Sequence, residues 1–258
     1  VTREGVLLEM GRVACPSPWQ PGGREVVGGL NEPRGSAGSP AGWFVVADSF
    51  NHRIVWYTDQ GVCLDTFGRE GSSESGLNEP SGIALAADGR LAIADTWNRR
   101  VEIFEKDGST TSIDGNFFGP RDLLWAADGS LVVADTGNRR LMRYTPPRWR
   151  REVVVELPAP VVGLAEAGGL IAAATPANGS VALIDVGTGT IVRTLEVPGW
   201  SSGRQQEGYL ALLPSGELAA SAPYPGELWA LDPSGHDPPR LIHAGLPGLT
   251  AIALQPDG

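Results

Sequence analysis

Short apolar runs alternate with polar knots along most of the chain. Residues 83–104 read "IALAADGRLAIADTWNRRVEIF": an apolar run, an Asp-Gly, a second run, a knot opened by Asp95, and a third run. Such short runs, rich in Ile, Val, Leu and Phe and bounded by Gly, Asp and Asn, predict β-strands. Asp88-Gly89 and Asp128-Gly129 are hairpin signals, because glycine accepts the positive φ that two-residue turns require. The middle runs, "LAIA" at 91–94 and "LVVA" at 131–134, are apolar at every position instead of every second one. That pattern predicts burial on both faces. A lone sheet cannot bury both faces; sheets stacked face to face around an axis can. No helical period survives beyond a few residues.

The punctuation repeats. Segments starting at Leu30, Leu77 and Phe117 superimpose, and in each a proline (Pro33, Pro80, Pro120) precedes an aspartate by 15 residues. Each aspartate opens D-x-x-N-x-R: Asp48-Asn51-Arg53, Asp95-Asn98-Arg100 and Asp135-Asn138-Arg140. Two weaker copies follow. One keeps Pro160 and Asn178 but has Thr175 in the Asp position; the other keeps Ser215-Gly216 and has Ala222 there. The five equivalent positions are spaced by 47, 40, 40 and 47 residues. "LTAIALQPDG", 249–258, reads as the opening strand of a sixth copy. Asp and Asn suit these knots because their side chains bond nearby backbone and Asn tolerates the left-handed region. The arginine can fold back over the turn onto the carboxylate. The nine motif residues are therefore expected to be structural and not catalytic.

The order Pro-x-Gly-Ile-Ala, Asp-Gly, Val-Ala-Asp-x-x-Asn-x-Arg-Val resembles the NHL repeat, and Asn51-His52-Arg53 falls close to the triplet that names it. The resemblance is specific from about Leu30 to Tyr144 and faint from about Leu157 to Leu231. It implies an all-β, six-bladed β-propeller of four-stranded antiparallel blades, with salt links between blades that blades 4 and 5 lack the residues to make. The expected organisation is one domain over 1–258. Residues 30–248 form five blades, 249–258 the inner strand of the closing blade, and 1–29 its outer strands. Such closure removes the free edges that invite aggregation.

Composition narrows the functional classes. The formal net charge of -10 argues against non-specific affinity for nucleic acid or anionic membranes. No run of 18 apolar residues exists. The N-terminal stretch carries charge and glycine inside its apolar part, so it does not read as a signal peptide. The expected location is cytoplasmic, or extracellular or periplasmic if a leader has been removed. Two free thiols are the plainer reading of Cys15 and Cys63; a disulfide stapling the ring near blade 1 is the sharper one. His52, His236 and His243 leave little material for a zinc site, and no metal or cofactor is expected.

The loop between the second and third strands of each blade lies on the same face as the links between blades. The residue two after each motif position traces a ring there: Phe50, Trp97, Gly137, Ala177 and Tyr224. Arg34 and Arg121, just after the blade-start prolines, should lie inward on that face, with His52, Arg99 and Arg139 beside the ring. Exposed aromatics and arginines are what protein interfaces favour. The expected function is a non-catalytic scaffold that binds a protein partner through Phe50, His52, Trp97, Arg99, Arg139, Tyr224, Arg34 and Arg121. The bland alternative is that the rings merely cap the core. A second class is a lactonase-like or amidating-lyase-like enzyme with a channel metal, for which no set of carboxylates and histidines stands out. A third is an RNA-binding propeller using "PPRWRR" at 146–151, which the strand order puts on the opposite face.

Overall fold

The computed structural model describes residues 29–105, 107–200, 207–223 and 226–245. They form five four-stranded antiparallel sheets, each laid out in chain order. Blade 1 is β1 (Pro33–Ser39), β2 (Trp43–Asp48), β3 (Arg53–Thr58) and β4 (Cys63–Phe67). A short parallel pair, β5 (Arg69–Glu70) and β6 (Gly76–Leu77), sits in the link to blade 2. Blade 2 is β7 (Pro80–Leu85), β8 (Leu91–Asp95), β9 (Arg100–Phe104) and β10 (Thr110–Asp114). Blade 3 is β11 (Asp122–Trp125), β12 (Leu131–Asp135), β13 (Arg140–Thr145) and β14 (Arg150–Glu156). Blade 4 is β15 (Gly163–Ala167), β16 (Leu170–Thr175), β17 (Ser180–Asp185) and β18 (Thr190–Glu196). Blade 5 is β19 (Leu210–Leu212), β20 (Leu218–Ala222), β21 (Glu227–Leu231) and β22 (Arg240–Ala244).

The core lies between blades. Successive side chains of a strand point to opposite faces, and β8 uses both. Leu91 and Ile93 pack with Val45, Ala47 and Ile54 of blade 1, whereas Ala92 and Ala94 pack with Leu123, Leu131 and Val133 of blade 3. In blade 3, Val132 and Ala134 turn to Leu164 and Ile171 of blade 4. In blade 4, Ala172 and Ala174 turn to Leu218 and Ala220 of blade 5. The unbroken apolar runs are thus shared between neighbours, and the architecture is an all-β propeller.

The expected sixth blade rests on 1–29 and 249–258, which, apart from Gly29, lie outside the described residues. The reading of two free thiols is corrected: Cys63, at the start of β4, is disulfide-bonded. Cys15, the chain's other cysteine, lies outside the described residues. No helix among the described residues is long and apolar enough to cross a membrane.

Candidate functional site

Each D-x-x-N-x-R knot grips the link that enters its own blade. Asp95 is fully buried; its Oδ1 accepts the Asn78 N–H at 2.7 Å, and its Oδ2 accepts Asn98 Nδ2 and Arg100 Nε, both at 2.8 Å. Asn98 also donates to the Gly71 carbonyl, and Arg100 to those of Ser73 and Gly76. Asp48 and Asp135 do the same, taking the N–H of Asn31 and of Phe118 respectively, with Arg53 and Arg140 on their second oxygens. Burial pushes the Asp95 carboxyl above its ordinary value, against the pull of the Asn78 N–H, Asn98 and Arg100. The Asp–Arg ion pairs therefore lie within one blade, and it is carbonyls of the link that carry the grip across. A second set of bonds joins blade to blade. Ser49 Oγ donates to the Pro80 carbonyl, Thr96 Oγ1 to that of Pro120, and Thr136 Oγ1 to that of Val161. The hydroxyl residue directly after each Asp was visible in the sequence as a column; its reach to the next blade was not.

The NHL-repeat family model matches residues 77–104, the segment running from the link through β9. This chain is a β-propeller that carries an NHL repeat at 77–104. Solved structures of low identity share its fold. A streptogramin B lyase matches at 15% identity with a TM-score of 0.69, covering 86% of this chain and 73% of that one. A catalytically inactive virginiamycin B lyase from Staphylococcus aureus with quinupristin matches at 14% identity and TM-score 0.68, covering 85% and 73%. A nidogen/laminin complex matches at 15% identity and TM-score 0.68, covering 83% and 80%. No curated protein matches.

On the loop face of the propeller, the residues after the knots are uneven around the ring. Phe50 and Trp97 are 43% and 49% exposed, and their backbone N–H groups are tied to the carbonyls of Asn31 and Asn78. In blade 3 the ring position is Gly137, because a side chain there would collide with Phe118 at 2.3 Å. Phe118 itself is 49% exposed, so blade 3 presents its aromatic from the link instead of from the knot. Position-by-position reading missed this residue; its signal is "FFGP" where the other copies have "LNEP". Two arginines lie over these rings: Arg34 is 5.5 Å from the Phe50 centroid, and Arg99 is 5.4 Å from that of Phe118. Tyr224 lies outside the described residues.

His52, Arg99 and Arg139 close their turns in the left-handed region, with φ of 53°, 58° and 53°. Gly179 and Gly226 hold the same place in blades 4 and 5. Side chains other than glycine pay strain in that region. His52 Nδ1 accepts the Glu79 N–H at 3.2 Å, so that imidazole nitrogen is engaged with the link. Arg34 also faces Glu79, at 3.9 Å. Inward from Arg34, a cavity of about 240 Å³ opens in the central channel, with Asp122 and Tyr209 in its wall. Arg121 lies close enough to Tyr209 to influence its hydroxyl, as does Arg34.

The opposite face is different. Trp149 of the basic loop packs against Trp125 at 6.0 Å, and the Arg90 guanidinium lies 4.4 Å and 5.8 Å from the two rings. Arg150 pairs with Glu152 at 3.5 Å. The tryptophan is therefore a packing element of the loop. His236 bonds Ser234 in the exposed hairpin between β21 and β22, and His243 lies in β22. Among the described residues, no three His, Cys, Asp or Glu side chains gather as a set that could hold a metal ion.

Proposed function

We propose that this propeller is a non-catalytic platform that takes a protein partner on the loop face, in the sector formed by blades 1 to 3. The observation that carries the reading is the exposure of Phe50, Trp97 and Phe118 on one face, two of them under arginines. Aromatics and arginine supply most of the energy in protein interfaces because they bury large areas and still hydrogen-bond. Rings that merely capped the core would be covered. His52, Arg99, Arg121, Arg139 and Tyr224 belong to the same proposed surface. The nidogen/laminin complex offers a precedent of the same fold in an assembly of proteins.

The test compares captures from the native source by the wild-type chain, by Phe50→Ala/Trp97→Ala, and by Arg148→Ser/Arg151→Ser on the opposite face. A partner kept by the first and third and lost by the second supports the reading, provided the rim variant melts within a few degrees of wild type. Equal capture by all three overturns it, and so does a large drop in melting temperature of the rim variant, which would mark the rings as caps.

Residues 1–29 and 249–258 are proposed to complete a sixth blade against blades 1 and 5. Support comes from the strand-like run at 249–254 and from the disulfide at Cys63, for which Cys15 is the one other cysteine in the chain. Removing 249–258 should then lower the melting temperature markedly; an unchanged value would remove the sixth blade.

A further inference from the structure

The innermost strands start with a column of small residues. A Cβ on Gly35 would stand 2.1 Å from the Ser81 carbonyl oxygen, one on Gly82 2.6 Å from the Asp122 Cα, and one on Gly163 2.8 Å from the Gly208 carbonyl oxygen. Glycine lets each inner strand close on the next. Strand register puts Asp122 of blade 3 in the place that Gly163 holds in blade 4, opposite the residue before the knot. Tyr209, which exchanges bonds with Ser221, holds that place in blade 5. Two polar side chains thus stand where the other described blades carry only hydrogen.

Asp122 is partly exposed and lines the channel cavity. It accepts the Leu123 N–H at 2.9 Å and, across the blade boundary, the Leu164 N–H at 2.7 Å. Each oxygen keeps a further lone pair. The cavity beside it is walled by Ile83, Leu85 and Leu123 on one side and by Arg34, Asp122 and Tyr209 towards the strand starts. Its 240 Å³ suits a molecule of about eight heavy atoms, given about 30 Å³ per water in the liquid. A concave pocket with a few convergent polar groups is the usual form of a small-ligand site.

We propose that the channel mouth binds a small organic carboxylate, its anionic end held by Arg34 and the Tyr209 hydroxyl, with the Asp122 carboxyl in the same wall as its further polar contact. This site shares Arg34 with the partner surface proposed above, but it rests on the channel cavity and not on that reading. The sign of the ligand follows from the charges that face the group. Arg34 comes from β1 and Arg121 precedes β11. Glu207 lies ahead of β19, and Glu79, in the link ahead of β7, faces Arg34. From β15 the group meets backbone. Of these groups only Arg34 and Asp122 line the cavity itself, and the Arg34 guanidinium favours an anion over a cation. Burial pushes the Asp122 carboxyl up to about 7, against the two backbone N–H bonds, so near neutrality it spends much of its time as a donor. A carboxylate ligand needs that proton to stay. Binding should therefore take up a proton, and affinity should fall as pH climbs through about 7.

The test is isothermal titration calorimetry of the full chain with pyruvate, 3-methylbutanoate and benzoate. Benzamide and benzylammonium serve as the neutral and cationic counterparts of benzoate. The expected result is that at least one carboxylate binds, about tenfold or more weaker near pH 8.5 than near pH 6, with proton uptake seen as a buffer-dependent heat. Tyr209→Phe and Arg34→Gln should each weaken it about fivefold or more without moving the melting temperature. Asp122→Asn, whose amide donates at every pH, should bind with the pH dependence flattened. Three results would each overturn the proposal: no heat from any of the three carboxylates near pH 6; benzylammonium binding as tightly as benzoate; or an unchanged pH dependence in a folded Asp122→Asn. Should Asp122→Asn not fold, unaltered affinity in Tyr209→Phe and Arg34→Gln decides against it equally.

Discussion

Blades 1 to 3 and blades 4 to 5 solve one problem by opposite means. Every link between blades must be pinned to the sheet it enters. In the first three blades a buried aspartate, an asparagine and an arginine grip the link through its backbone groups. In blade 4 the aspartate is Thr175, which turns inward to Ser180 at 2.7 Å and leaves the link alone. On the link that enters blade 5, where the aspartate position is Ala222, a buried tryptophan takes over. Trp200, in the link between blades 4 and 5, is 1% exposed and donates Nε1–H to the Ser221 carbonyl at 2.8 Å. Gly208 leaves room for its ring, and Gly199 lets the link approach Ala222. One half of the ring is clasped by ions in a dry pocket and the other by an apolar plug. The polar half also carries the exposed aromatics and the strained His52, Arg99 and Arg139, whereas the plugged half has glycine at the turn ends. Chemistry available for binding is concentrated where the links are held by polar groups.

The contrast breaks most directly at the plug. Trp200→Ala should cost about 3–5 kcal/mol in urea unfolding, since it empties a packed site and orphans the Ser221 carbonyl. A loss below about 1 kcal/mol would mean that the tryptophan does not hold blades 4 and 5 together. Asp95→Ala should come next, at about 3 kcal/mol, because it strands Arg100, Asn98 and the Asn78 N–H. The matched change Thr175→Ala should cost about 1 kcal/mol, and equal losses at the two sites would erase the distinction between the halves. Asp122 spans the boundary between them. Its carboxyl is raised in the folded chain, so its stabilising contribution is complete below the ordinary carboxylate range and is lost as pH rises through about 7. Allowing for water in the channel, the wild type should lose on the order of 1–2 kcal/mol between about pH 5 and pH 8 that Asp122→Asn does not lose. The smallest effect is expected at Arg139→Gly. Relief of the left-handed backbone and the added freedom of the unfolded chain should nearly cancel, leaving melting shifted by no more than about 0.5 kcal/mol. A clear loss there would show that Arg139 serves the fold.

The strands, the hairpins and the knots were legible because each depends on residues a few positions apart: "LAIA" for burial on both faces, Asp88-Gly89 for a turn, Asp95 to Arg100 for the grip. Most of what escaped lies across blades. Trp200 stands outside the repeat column, in one of the two long spacers, so nothing local marks it as a plug. Phe118 replaces an aromatic at Gly137 only because the link and the knot of blade 3 meet in space. Asp122 did break a visible glycine column, "PRD" against "PRG" and "PSG", but its meaning needed the channel geometry. The disulfide at Cys63 was one of two readings that composition could not separate.

The alternation of β8, with Ile93 committed to one neighbour and Ala92 and Ala94 to the other, limits how such a chain can be rearranged. A repeat cannot be excised, or the polypeptide reopened, between its second and third strands without baring a surface that two sheets had in common. New termini or inserted domains would be tolerated at the peripheral hairpins, such as 59–61 or 232–238, where turns face water and no sheet is split.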